Sequence, residues 1–164
     1  NFVKQYAQAG LLKEIPFFSA FTVDETTLKA QGEAAVGTYG TAFWNTDLKN
    51  PVSERFVTDF RKKYGYTPSN YSAQSYDAAL MLDHGIRAVR GKIEDKDALR
   101  AVWRKADWKS VRGSFRYNNN HYPIQNFYLQ QVVKDASGRL RLANRGVVFT
   151  NHADAYAKNC PMKW

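Results

Sequence analysis

Three histidines, one cysteine and 15 acidic side chains are the groups with which this chain could do chemistry. His84, His121 and His152 lie far apart and show no metal-ligand spacing, so surface or hydrogen-bonded roles are expected. Cys160 stands before Pro161 with no base beside it in sequence, which reads as an unpaired, unreactive thiol. Asp77 and Asp83 are spaced by six on one predicted helix and do not share a face closely. They read as solvated or capping groups, not an acid pair. Glu54 and Asp59, beside Arg55, Arg61 and Lys62, read as an ordinary solvated helix face. No GxSxG, HExxH, CxxC or Walker-type loop is present. The chain is read as a non-enzyme without metal or cofactor.

Aromatic residues carry the stronger signal. Ile15-Pro16-Phe17-Phe18 is a compact apolar run that fits a buried parallel strand, and Ser19-Ala20-Phe21-Thr22 follows it as a loop. Ligands of α/β proteins lie at loops after strand ends. Phe21 and Thr22 are the leading contact candidates. Phe18 stands between ligand contact and sheet core, and Phe17 reads as core. Rings at this junction suit a planar ligand by offset or edge contacts.

These residues need elements to position them, and Val52–Val89 is the organising block. Asn50 caps a helix with Pro51 at its first position, where a missing N–H costs nothing. Val52, Phe56, Val57, Phe60 and Tyr64 share its face. Gly65 stops it, and Pro68 keeps the connection extended. Ser69 or Asn70 caps a second helix that turns Ala73, Tyr76, Leu80, Ile86 and Val89 inward and ends near Gly91.

Before this block, Phe2, Val3, Tyr6 and Ala9 form a helical face closed by Gly10, Asp24 caps a helix over 25–30, and 33–39 reads as a second strand. After it, Asp95 caps a helix with Leu99, Val102, Trp103 and Ala106 on one face, and 111–117 reads as extended. Asn118-Asn119-Asn120-His121 is a turn, because Asn tolerates left-handed backbone. A strand over 124–133, a hairpin turn at 135–139, a partner strand over 140–150 and a short helix over 152–157 complete the reading.

Hydrophobic residues make up 44% of the chain and aromatics 15%, a folded composition. No apolar run approaches ~18 residues, and no signal peptide is visible. A single cysteine forms no internal disulfide, which leaves the redox compartment open. The net charge of +9 admits a nucleic-acid surface. However, Arg61-Lys62-Lys63 is the only tight basic run, and no zinc-finger, RNP-type or basic-zipper pattern accompanies it.

The basic helix followed by YGYTPSNYSAQSYDAALML (64–82) also carries a resemblance, together with GEAAVGTYGTAFW (32–44) before it and VRGSFRYNNNHYPIQNFYLQQVV (111–133) after it. In one collinear order over nearly all 164 residues, the chain resembles the C-terminal part of type I periplasmic solute-binding proteins, the Leu/Ile/Val receptors of ABC transporters. The resemblance implies an α/β fold of two lobes with mostly parallel sheets, joined by three crossings. Residues 1–40 would belong to the second lobe, 41–126 to a hinge crossing and the C-terminal part of the first, and 127–164 to a return to the second. A longer protein is implied, whose N-terminal part, or a second copy of this chain, covers the sheet edges. Trp44 and Phe43 would lie in a crossing, where they rim the cleft or pack the hinge.

In the amino-acid receptors an acidic residue in the loop after this strand pairs with the ligand's ammonium group. Ser19–Thr22 has no acid, and Asp24 and Glu25 read as cap and first turn. A buried ammonium without a counter-charge is costly. The expectation is therefore a periplasmic receptor of an ABC importer that holds a small aromatic carboxylate, such as a benzoate or phenylpropanoid. Phe18, Phe21, Thr22 and Trp44 would contact the ligand, permease subunits would receive it, and nucleic acid would not be a partner. The alternatives are a branched-chain amino-acid receptor with Asp24, or a residue outside this sequence, as counter-charge and, from another class, a basic nucleic-acid-binding module. Met162-Lys163-Trp164 carries no membrane segment, which is read as favouring a free receptor over a sensor ectodomain.

Overall fold

The computed structural model describes residues 1–162; Lys163 and Trp164, and the reading placed on them, lie outside the described residues. The chain folds in the order α1 (Phe2–Gln8), β1 (Phe18–Ala20), α2 (Glu25–Gln31), β2 (Tyr39–Ala42), α3 (Pro51–Tyr64), α4 (Asn70–Ala88), α5 (Lys96–Arg104), β3 (Arg116–Tyr117), β4 (Pro123–Lys134) and β5 (Leu140–His152).

The helix ends follow local chemistry. Asn50 Oδ1 accepts the Val52 N–H at 3.0 Å, and its amide donates to the carbonyls of Ser110 and Val111, each at 3.0 Å. One cap thus ties the start of α3 to a loop 60 residues away. Gly65 ends α3 with φ 75°, a left-handed angle that suits glycine. Ser69 and Ser72 form a capping box on α4, and Asp95 Oδ1 caps α5 through the Ala98 N–H at 3.0 Å.

The sheet is mixed. β1 and β2 run parallel, with Phe18 opposite Tyr39 and Ala20 opposite Thr41. β4 lies antiparallel to β2 over Tyr39↔Gln131 to Ala42↔Tyr128, and antiparallel to β3 at its own start. β5 pairs with β4 along most of its length, with register shifts between Gln125 and Gln130. The mostly parallel sheets expected of whole lobes are represented in this chain by the β1–β2 pair.

Two apolar cores result. One joins Phe43, Trp44, Leu48, Phe56, Val57, Ala73 and Val111. The other joins Val3, Val23, Leu28, Ala35, Val132 and Leu142. The β4–β5 ribbon runs past both: Phe127 and Tyr128 pack on the first, and Val132 and Leu142 belong to the second. Gln130 fastens the ribbon at the junction, where its buried amide donates to the Trp44 carbonyl at 2.7 Å.

Several sequence expectations are corrected. The apolar run at 15–18 is not the strand: pairing begins at Phe18, and Ile15 and Phe18 are exposed. Residues 33–39 do not form a strand; Gly32–Ala35 is a 3-10 turn continuing α2, and β2 starts at Tyr39. On α4, Ile86 is exposed and Asp77 is buried, while Tyr76, though partly exposed, lays its ring 4.6 Å from that of the core residue Phe56. Only Arg116 and Tyr117 of the 111–117 segment pair as strand. In the Asn-rich turn the left-handed residue is His121, at φ 64°. β5 extends to His152, and the terminal helical piece is a 3-10 turn at Ala157–Asn159.

Candidate functional site

Phe21 follows directly on the last residue of β1 and adopts φ 63°. A left-handed angle at a bulky residue costs on the order of 1–3 kcal/mol and persists where the surroundings fix it. The surroundings here are specific. Gln31 Nε2, from the end of α2, donates to the Thr22 carbonyl at 3.0 Å. Val23 is buried in the second core. Asp24 Oδ1 accepts the Thr26 N–H and hydroxyl, each at 2.9 Å, as the cap of α2. The chain is pinned on both sides of Phe21, and its ring stands 42% exposed.

That ring faces Tyr71 in the first turn of α4, with centroids 6.2 Å apart and planes tilted by 37°. The pair brings the loop after β1 against the helix whose Ala73 packs the other core. Tyr71 was not singled out in the sequence; an exposed tyrosine one residue into a helix has no local signature of a contact.

The other candidates fall apart from this pair. Thr22 is exposed beside Phe21. Phe18, 61% exposed, stacks on its strand neighbour Tyr39 at 4.9 Å and 16°. Trp44 is only 1% exposed and packs edge-on against Phe56, while its indole N–H donates to Ser53 Oγ at 2.8 Å. Trp44 is thus packed into the first core.

The acids near the loop are engaged. Asp24 is 1% exposed, and its second oxygen accepts the Asn70 N–H at 3.4 Å. Its carboxylate is thus engaged at the starts of both α2 and α4. Glu25 Oε1 accepts the Leu142 N–H at 3.2 Å. Burial pushes the Glu25 carboxyl up to about 7, with Asp24 adding to the rise and Arg61 and Arg141 opposing it.

The residues considered for catalysis are also placed. His84 Nε2 meets Asp107 Oδ1 at 2.9 Å, and His152 packs against Phe127 and Phe149. Cys160 is a free, half-buried thiol. No cluster of His, Cys, Asp and Glu among the described residues could hold a metal ion. Asp83 pairs with Arg87 on the surface, as a solvated group would. Asp77 does not: its buried carboxylate accepts from the Ser110 hydroxyl, the Val111 N–H and Arg112 Nε at 2.7, 3.0 and 2.8 Å. None of these contacts lies near Asp77 in sequence. No helix among the described residues is long and apolar enough to cross a membrane.

A family model described as periplasmic binding protein matches residues 1–138. A Leu/Ile/Val-binding protein homologue of Brucella abortus (strain 2308) is 31% identical over 144 residues, covering 84% of this chain and 36% of the relative. A solute-binding protein of an ABC transporter from R. palustris, solved with benzoate, superposes with a TM-score of 0.85 at 32% identity, over 98% of this chain and 42% of that one. One from Rhodopseudomonas palustris HaA2, solved with p-hydroxybenzoic acid, gives 0.79 at 28% identity, over 94% and 42%. A leucine-binding protein from Thermotoga maritima gives 0.69 at 25% identity, over 87% and 39%. The chain thus spans about two fifths of the length of the proteins it matches. It belongs to the type I periplasmic binding proteins, in the branch that includes the branched-chain amino-acid receptors of ABC transporters.

Proposed function

We propose that this chain is part of a periplasmic receptor of an ABC importer that binds a small aromatic carboxylate and delivers it to a membrane permease. The two cores are parts of two lobes, with 1–40 and 127–164 in one and 41–126 in the other. Ligand binds where Phe21 and Thr22 of one meet Tyr71 of the other, and lobe closure traps it. The carrying observation is the Phe21 ring, held at φ 63° against Tyr71 in a loop without an available acid. The benzoate and p-hydroxybenzoic acid complexes of similar proteins support this chemistry. The names of the Brucella and Thermotoga relatives favour a branched-chain amino acid instead; of the acids in this chain nearest the loop, Asp24 is buried as the cap of α2 and contacts the start of α4.

A thermal-shift panel of benzoate, 4-hydroxybenzoate and leucine tests the reading. The aromatic acids are expected to raise Tm and leucine to leave it unchanged. At a ligand concentration of ~100 Kd the gain is about 2.7 kcal/mol. Phe21→Ala should weaken aromatic binding at least about tenfold. A response to leucine alone overturns the aromatic assignment.

A further inference from the structure

The ladder between β2 and β4 ends at the pair Ala42↔Tyr128, and the chain then leaves the sheet toward α3. Past that pair, side chains take over the fastening. From the ribbon, Gln130 Nε2 donates to the Trp44 carbonyl at 2.7 Å. From the departing segment, Asp47 Oδ2 accepts the Asn144 N–H at 3.2 Å and Arg141 Nη1 at 3.3 Å. Each partner thus reaches a side chain into the other.

Gln130 can reach Trp44 because it stands opposite Gly40 in the register. A Cβ on Gly40 would lie 3.9 Å from Gln130 Oε1, so the glutamine passes over a residue that has no side chain. The bond is hard to give up. Gln130 and Trp44 are both buried, and a buried carbonyl without a donor is unfavourable. It is also compliant. A backbone ladder holds two strands about 4.8 Å apart, whereas a glutamine side chain has several rotatable bonds and keeps its partner as the segment tilts.

Each end of this connection leads to one core. Val132, just beyond Gln130 on β4, is buried in the second core. The Trp44 ring packs in the first, and its indole N–H donates to Ser53 Oγ on α3 at 2.8 Å. The β4–β5 register also shifts between Leu129 and Gln130, and such irregularities bend a ribbon. Gln130 and Trp44 thus give movement of one core a route to the other. We propose that Gln130 and Asp47 are positioning residues for ligand trapping: they clasp the 43–50 connection to the β4–β5 ribbon, so that the two turn as one when the lobes close. This rests on the two-lobe receptor reading above.

Spin labels on Lys29→Cys in α2 and Arg87→Cys near the end of α4, in a Cys160→Ser background, report the spread of distances between the two cores. Both labelled positions are exposed. Gln130→Met keeps the length of the side chain and removes the donor. Asp47→Ala removes the second bond at a side chain that is 37% exposed, which leaves both cores filled. Val132→Ala is the control: it weakens the second core and leaves the clasp in place. Each clasp variant is expected to broaden the distance distribution without ligand. Each should raise the apparent Kd for benzoate about tenfold, as when the closing state falls to about a tenth of the population. Val132→Ala should lower Tm and leave the width unchanged. A wild-type width in either clasp variant overturns the proposal, as does equal broadening by Val132→Ala. Undiminished benzoate affinity in both clasp variants overturns the positioning role. If benzoate fails to bind wild type, the aromatic assignment falls, and the widths still decide the clasp.

Discussion

Asp24 Oδ2 accepts the backbone N–H of Asn70 at 3.4 Å, so one buried carboxylate stands at the starts of both α2 and α4. Through it, the helix that carries Leu28 into the second core is fastened to the helix that carries Ala73 into the first. The Phe21 loop runs between β1 and this contact.

Asp24→Ala should therefore cost about 3 kcal/mol, combining a lost helix cap with an orphaned N–H on α4. Asp24→Asn keeps one acceptor oxygen for Thr26 and should cost about 1 kcal/mol. Urea unfolding measures both. The same Asp24→Asn variant should leave leucine affinity unchanged; a large loss would restore Asp24 as a ligand counter-charge.

Gly85 lies inside α4 where helix propensity favours alanine by about 1 kcal/mol. The indole of Trp103 on α5 occupies that space. A Cβ on Gly85 would fall 2.8 Å from Trp103 Cε2, and the indole N–H is held by the Met81 carbonyl at 3.0 Å. Overpacking of this kind costs roughly 1–3 kcal/mol, so Gly85→Ala should destabilise the chain despite its propensity. In a Trp103→Leu background the sign should reverse. Equal effects of Gly85→Ala in both backgrounds would show that Trp103 is not the obstacle.

What could be read in advance follows the range of each interaction. The ends of α3, α4 and α5 were legible because Asn50, Gly65, Ser69 and Asp95 act within a few residues of themselves. The inward face of α4 was not. Apolar Ile86 points out and Asp77 points in, because Arg112, 35 residues on, supplies its counter-charge. The start of β1 was misplaced because the apolar run ends where pairing with Tyr39 begins. Phe21 and Thr22 were legible as a post-strand loop. Tyr71 opposite them was not, since only tertiary structure brings the two cores together. Trp44 had two readings, and its burial against Phe56 and the Ser53 hydroxyl, nine residues on, is a contact that no local pattern announces.

Asp77 and Arg112 form a largely buried pair at 2.8 Å. Removing one partner from such a pair leaves an uncompensated charge and costs roughly 3–5 kcal/mol. Asp77→Asn and Arg112→Met should each fall in that range. The double variant should lose markedly less than their sum, because both charges leave together. Additive losses in urea unfolding would mean that the two side chains stabilise the fold separately. Arg112→Lys should not restore the wild-type value, since an ammonium cannot bond Asp77 and Gln125 with one planar fork.

Glu25 makes stability depend on pH in an unusual direction for a carboxylate. Burial raises it from 4.5 to about 7 in the folded chain. The folded state therefore binds its proton more tightly than the unfolded state does. Stability from neutral Glu25 is fully present below the unfolded value and is lost as pH rises through the window from 4.5 to about 7. The loss is on the order of 3 kcal/mol across that window. Asp135 acts with the opposite sign but outside this range. The Ser137 hydroxyl and the Arg139 N–H hold it down to about 2, so its contribution is lost only in stronger acid. Glu25→Gln mimics the protonated side chain and keeps an oxygen for the Leu142 N–H. It should match wild type near pH 4.5 and exceed it at pH 8 by about 3 kcal/mol. Urea unfolding of both proteins at the two pH values measures the difference; a gap that stays the same at both would place the titration on another group.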